Sequence, residues 1–102
     1  MPESHFTIHQ NGSYGIEGMM TFSTVPELLA KTDAWLCDHD GAVTINLQQV
    51  RHVDSAGLAL LLEWMRLARE AGRSLQFENI PEQLTKLINV SNLQSLFQSS
   101  HS

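Results

Sequence analysis

Residues 43–62 read Val43-Thr44-Ile45-Asn46-Leu47-Gln48-Gln49-Val50-Arg51-His52-Val53-Asp54-Ser55-Ala56-Gly57-Leu58-Ala59-Leu60-Leu61-Leu62. The first six alternate strictly. Val43, Ile45 and Leu47 share one parity and Thr44, Asn46 and Gln48 the other, the pattern of a strand with one buried face. From Ser55 onward the chain reads as a long helix. The polar turn between them sets an Asp-Ser pair at a helix N-terminus, where unpaired N–H groups and a partial positive charge collect. A hydroxyl placed there caps the helix, faces a partner, or accepts a phosphate whose charge the helix end stabilises.

Other segments repeat the strand pattern. Phe6 and Ile8 suggest a first strand, Asn11-Gly12-Ser13 a turn, and Tyr14, Ile16, Met20 and Phe22 a second strand paired with the first as a hairpin. Leu75 and Phe77 alternate with Ser74, Gln76 and Glu78 in a fourth. A sheet covered on both faces needs strands that are apolar on both parities. These are apolar on one only. The expected fold is therefore α/β, a small open mixed four-stranded sheet with helices packed on one face.

The helical cover is also legible. Thr24-Val25-Pro26-Glu27 opens a first helix as a capping box with an early proline, burying Val25, Leu28, Leu29, Thr32 and Leu36. The second helix spans about Ser55 to Ala71 and stops at Gly72. A third starts near Pro81 and carries Leu84, Leu87 and Ile88. Ser91-Asn92-Leu93-Gln94 reads as a further capping box before Leu96 and Phe97. At 100° per residue, the apolar residues of the second helix, from Leu58 to Ala71, fill an arc of roughly 220°, about twice what a surface helix needs. Flanking on both sides accounts for that width. The alternative is that Leu60, Trp64 or Leu67 stays partly exposed and docks on another protein.

The chain has 102 residues, 42% of them hydrophobic and 17% charged, and a formal charge of −5, which fits one globular domain, 1–102, ordered from about 5 to 98. The few basic residues are scattered, which argues against nucleic-acid binding. No stretch of about twenty apolar residues is present to cross a bilayer, and no signal peptide is apparent, so a cytoplasmic location without membrane insertion is expected. A single cysteine, Cys37, excludes an intrachain disulfide, and late in an amphipathic helix it reads as a small buried side chain.

No catalytic constellation emerges. Ser55 lacks the G-x-S-x-G elbow, since Val53 stands two positions before it, and His52 near a strand end points away from it. His5, His9, His39, His52 and His101 are dispersed, without the clustered spacing of a metal site. No glycine-rich phosphate loop precedes a helix. Neither an enzyme nor a cofactor is expected.

With these residues laid out, the chain resembles a STAS domain, the fold of anti-sigma-factor antagonists and of transporter-associated modules. Val53-Asp54-Ser55-Ala56-Gly57-Leu58 matches the family's signature turn. Within the family, Gly57-Leu58-Ala59-Leu60-Leu61-Leu62-Glu63-Trp64, Ala68, Gly72 and Ile80-Pro81-Glu82-Gln83-Leu84 are most similar to the small STAS subunit of the Mla-type phospholipid ABC transporter, a system that maintains outer-membrane lipid asymmetry. The resemblance implies a non-enzymatic subunit, peripheral to the inner membrane, that binds and regulates the transporter's ATPase. It also implies that Ser55 matches the serine phosphorylated in the antagonist branch, and a phospho-switched anti-sigma factor antagonist is the alternative reading. The expected contact residues are Asp54, Ser55, Ala56 and Gly57 in the turn, with Leu60 and Trp64 on its helix.

Overall fold

The long strand read from residue 43 runs through the middle of the sheet. A computed structural model describes residues 4–9, 12–37 and 41–98. Its elements are β1 (Ser4–Ile8), β2 (Ser13–Met20), α1 (Val25–Leu29), α2 (Thr32–Leu36), β3 (Val43–Val53), α3 (Ser55–Glu70), β4 (Leu75–Glu78), α4 (Glu82–Val90) and α5 (Gln94–Gln98). The strand order is β1-β2-β3-β4. β1 and β2 form the expected antiparallel hairpin, while β2–β3 and β3–β4 are parallel. The sheet is thus open, mixed and four-stranded.

Parity explains which face is covered. Val43, Ile45, Leu47, Tyr14, Ile16, Met20, Leu75 and Phe77 are buried, whereas Glu17, Gln48, Gln49 and Arg51 on the opposite face are exposed. Beyond Leu47 the alternation changes: the buried positions become Val50 and Val53, each three residues on. Strict alternation would have pushed Gln49 and Arg51 into the core. Two register shifts against β2 prevent this, since Gly15 pairs with Asn46 but Glu17 with Gln49, and Gly18 with Val50 but Met19 with His52. Each shift places one extra residue in β3, a bulge that turns the polar side chains back to solvent.

The first helix of the sequence reading is broken in two. Thr32 Oγ1 donates to the Leu29 carbonyl at 2.6 Å, and α2 restarts at that residue. The break turns Leu29 outward, where it is 41% exposed, and brings Trp35 fully inside. Thr24 does begin α1, but its hydroxyl makes no cap bond; it donates to the Met19 carbonyl at 2.8 Å and accepts from Thr21 N–H at 2.9 Å. Ser91 is the C-cap of α4 rather than the start of the next helix. Cys37 is exposed at the end of α2, not buried.

Two expected contact residues belong to the core. Leu60 is 2% exposed and Trp64 0%. Trp64 Nε1–H donates to Thr32 Oγ1 at 2.8 Å, and its ring packs edge-on against Trp35 and Phe6, with centroids 5.7 Å and 6.0 Å apart. The wide apolar arc of α3 therefore reflects a helix with neighbours on both sides, α1 and α2 on one hand and α4 on the other. Neither side chain is presented to a partner.

The helix ends are closed by backbone geometry. Past α3, Gly72 takes φ 71°. There Arg73 N–H reaches the Ala68 carbonyl at 2.8 Å and Gly72 N–H the Arg69 carbonyl at 3.1 Å, the double closure of a Schellman motif. Asn92, at φ 59°, does the same for α4.

Candidate functional site

The turn between β3 and α3 is built on one carboxylate. Asp54, extended at φ −117° and ψ −172°, is the N-cap of α3. Its Oδ1 accepts from Ala56 N–H at 2.9 Å and Gly57 N–H at 3.4 Å. Its Oδ2 accepts from Phe22 N–H at 3.1 Å in the loop after β2. Asp54 N–H in turn donates to the Met20 carbonyl at 3.2 Å. One side chain thus satisfies orphan donors of the helix and ties two loops together.

That arrangement leaves Ser55 with no structural duty. It occupies the first helical position, is exposed, and its hydroxyl makes no hydrogen bond among the described residues. The cap is Asp54, not Ser55. Ala56 is half-buried. Gly57 is buried where the first turn of α3 crosses the end of β2, and a Cβ there would collide with the Met20 carbonyl oxygen and lie 2.9 Å from Val53 Cγ1. The glycine of the motif is therefore a packing requirement.

The fourth helix closes the other side of the turn. Val53 N–H donates to Gln83 Oε1 at 2.8 Å, fixing α4 against the end of β3. Between turn and helix lies a shallow groove of about 460 Å³ lined by Val53, Asp54, Ser55, Gln83, Lys86, Leu87 and Val90. Val90 and Phe22 are 86% and 82% exposed, the most exposed large hydrophobic side chains among the described residues. The sequence reading does not single out Val90, and it assigns Phe22 to the second strand beside Tyr14, Ile16 and Met20, which its exposure corrects. Phe22 continues the inward parity of β2, but the strand ends at Met20 and a turn intervenes. Val90 differs from core residues only in its angular position on α4, outside the Leu84–Ile88 stripe.

Charges lie mostly elsewhere. Arg66 on the exposed face of α3 binds Glu63 and Glu70, each at 2.6 Å. Hydrogen bonding and charge from Arg66 hold the Glu63 carboxyl below its ordinary value. Among the described residues no group of three His, Cys, Asp or Glu is placed to hold a metal ion. No helix there is long and apolar enough to cross a membrane.

This geometry has known counterparts. Residues 14–98 match the profile of the family described as "Mlab, STAS domain". The chain belongs to the STAS domain family. It is 28% identical over 65 residues to the anti-sigma-B factor antagonist of Bacillus subtilis, a match covering 64% of this chain; it spans about 60% of that relative's length. Among solved STAS structures, a chain of the Acinetobacter MlaFEDB complex in its ATP-bound state superposes with a TM-score of 0.62 at 24% identity, over 85% of this chain and 92% of the other. The Bacillus cell-fate determinant SpoIIAA in its phosphorylated form superposes with a TM-score of 0.64 at 20% identity, over 91% and 86%. Both likenesses are likenesses of fold. The relatives that match are regulatory or accessory proteins rather than catalysts.

Proposed function

We propose that this STAS domain is a non-enzymatic accessory subunit of an ABC transporter for phospholipids. In this reading it binds the ATPase subunit through the turn Asp54-Ser55-Ala56-Gly57 and regulates it, peripheral to the inner membrane. The observation that carries the reading is the match of residues 14–98 to the family described by the Mla subunit. The geometry supports it. Asp54 and Gly57 are consumed in building the turn, which leaves Ser55 outward and unbonded on a rigid frame. A domain without a catalytic constellation acts by binding one state of a partner better than another. Bound to a nucleotide-binding subunit, it favours whichever conformation presents the matching surface.

A second reading has its own observation. The 28% identity to an anti-sigma-B factor antagonist, with an exposed Ser55 at a helix N-terminus, suits a phospho-switched antagonist. Affinity purification of the tagged chain from its native cell separates the two. Recovery of an ABC ATPase with its permease supports the transporter reading. Recovery of a kinase and an anti-sigma factor, without transporter subunits, overturns it.

A further inference from the structure

The two edges of the sheet are finished differently. On β4, Leu75 and Phe77 are buried, and Phe97 of α5 packs against Phe77 with ring centroids 6.2 Å apart. On β1, Phe6 is only half-buried and Ile8 is 67% exposed. Hydrogen bonds along an antiparallel pair alternate between facing residues. His9 N–H donates to the Ser13 carbonyl at 2.9 Å, so His5, Thr7 and His9 direct their backbone groups toward β2. The N–H and C=O of Phe6 and Ile8 therefore face outward, and no hydrogen bond meets them there among the described residues.

β1 also lacks the devices that keep a free edge from pairing. Residues 4–9 hold no Lys, Arg, Asp, Glu or Pro. Its register with β2 is unbroken from Ser4↔Gly18 to Ile8↔Tyr14, and both bulges lie one strand further in. On a chain of formal charge −5, this uncharged edge is a place where two copies can approach. Its faces are distinct as well. Phe6 lies on the helical side, stacked on Tyr14 and edge-on to Trp64, and Ile8 shares its parity. His5, Thr7 and His9 lie on the open side, beside Glu17, Gly15 and Gln49.

We propose that the edge of β1 pairs antiparallel with β1 of a second copy, joining two four-stranded sheets into one of eight strands. In the register that covers Ile8, Phe6 stands opposite Ile8 of the second copy and Thr7 opposite Thr7 on the two-fold axis. Each Phe6–Ile8 pair exchanges two backbone hydrogen bonds and is of the aromatic–β-branched kind that stabilises sheets. His5 falls opposite His9, so no carboxylate, lysine or arginine meets its like. Sliding the strands to set Phe6 against Phe6 leaves Ile8 against Ser4, a poorer cover. Few residues take part, so the dimer is weak and forms as concentration rises. It does not depend on the ATPase reading above.

Sedimentation equilibrium of the full chain over a range of concentrations tests the pairing, with a melting curve for each variant. The wild-type mass rises toward that of a dimer. Ile8→Lys places a charge at an exposed edge position, keeps the wild-type melting curve and raises the dimer dissociation constant about tenfold or more. Thr7→Cys and His5→Cys, each combined with Cys37→Ser and treated with a thiol oxidant, test the register. Facing Cα atoms of a non-hydrogen-bonded pair lie about 4.5 Å apart, within disulfide reach, so Thr7→Cys gives a linked dimer. The two copies of position 5 lie about 13 Å apart along the strands, so His5→Cys does not. Adding Ile8→Lys to Thr7→Cys suppresses the link. A wild-type chain that stays monomeric at every concentration, a dimer indifferent to Ile8→Lys, or linkage through His5→Cys in place of Thr7→Cys overturns the proposal. So does an Ile8-dependent complex of a monomeric chain with an extended segment of another protein.

Discussion

Asp54 holds the backbone of Phe22 across 32 residues of sequence, its Oδ2 accepting the Phe22 N–H at 3.1 Å while Oδ1 caps α3. The carboxylate is thus a structural clasp between the β2–α1 loop and the β3–α3 turn. Everything exposed nearby, Ser55 foremost, depends on it for position.

Replacing Asp54 by Ala removes the cap and the clasp together. The expected loss is about 1–3 kcal/mol, from capping plus a charge-assisted hydrogen bond. Denaturant unfolding measures it, and hydrogen exchange at the Phe22 and Ala56 amides should accelerate together. Acceleration at Ala56 alone would show that the Phe22 bond carries no weight.

Gly57→Ala should destabilise the chain by ~1–3 kcal/mol, because the added methyl meets the Met20 carbonyl oxygen with β2 and α3 both fixed. Helix propensity alone predicts the opposite sign, since Ala is the better helix former. The direction of the melting shift decides between crowding and propensity.

Trp64→Ala should cost ~3–5 kcal/mol, as for other buried Trp residues. Trp64→Phe keeps most of the packing but removes the donor to Thr32 Oγ1, which still donates to the Leu29 carbonyl, and about 1–2 kcal/mol is expected for the lost bond. Equal losses for the two variants, measured by urea unfolding, would mean that the hydrogen bond outweighs the ring volume.

Arg73 was read only as one of the scattered basic residues. Its guanidinium donates from Nη1 to the Leu36 carbonyl and from Nη2 to the Trp35 carbonyl at 3.3 Å, closing the C-terminal end of the five-residue α2. Arg73→Ala should cost on the order of 1–3 kcal/mol and broaden the amide signals of α2. Unchanged exchange of the α2 amides in the variant would assign that helix's order to Trp35 packing instead.

The sheet was legible because one-sided burial writes itself into parity at Val43, Ile45 and Leu47. The signature turn was legible because an Asp at a strand-to-helix junction has a local job. The bulges were not, since they are set by how Gln49 and Arg51 compete with β2 register. The break between α1 and α2 was missed for the same reason: Thr32 serves Leu29 locally and Trp64 across the fold, and only the second partner fixes the choice. An unbroken helix leaves Trp35 off its buried face, so Trp64 reads without its ring neighbour and a core residue looks like a contact residue.

The central claim is that the Ser55 turn is a docking surface rather than a helix cap alone. Ser55→Asp adds a charge beside Asp54 at an exposed position that the fold does not use. Its effect on the affinity for the purified ATPase, taken with its melting curve and with Ser55→Thr as control, is the most direct test. The prediction is a wild-type melting curve with affinity reduced about tenfold or more, through repulsion or unpaired desolvation, and near-normal binding by Ser55→Thr. Wild-type affinity in a well-folded Ser55→Asp chain would contradict it, and would move the functional surface away from this turn.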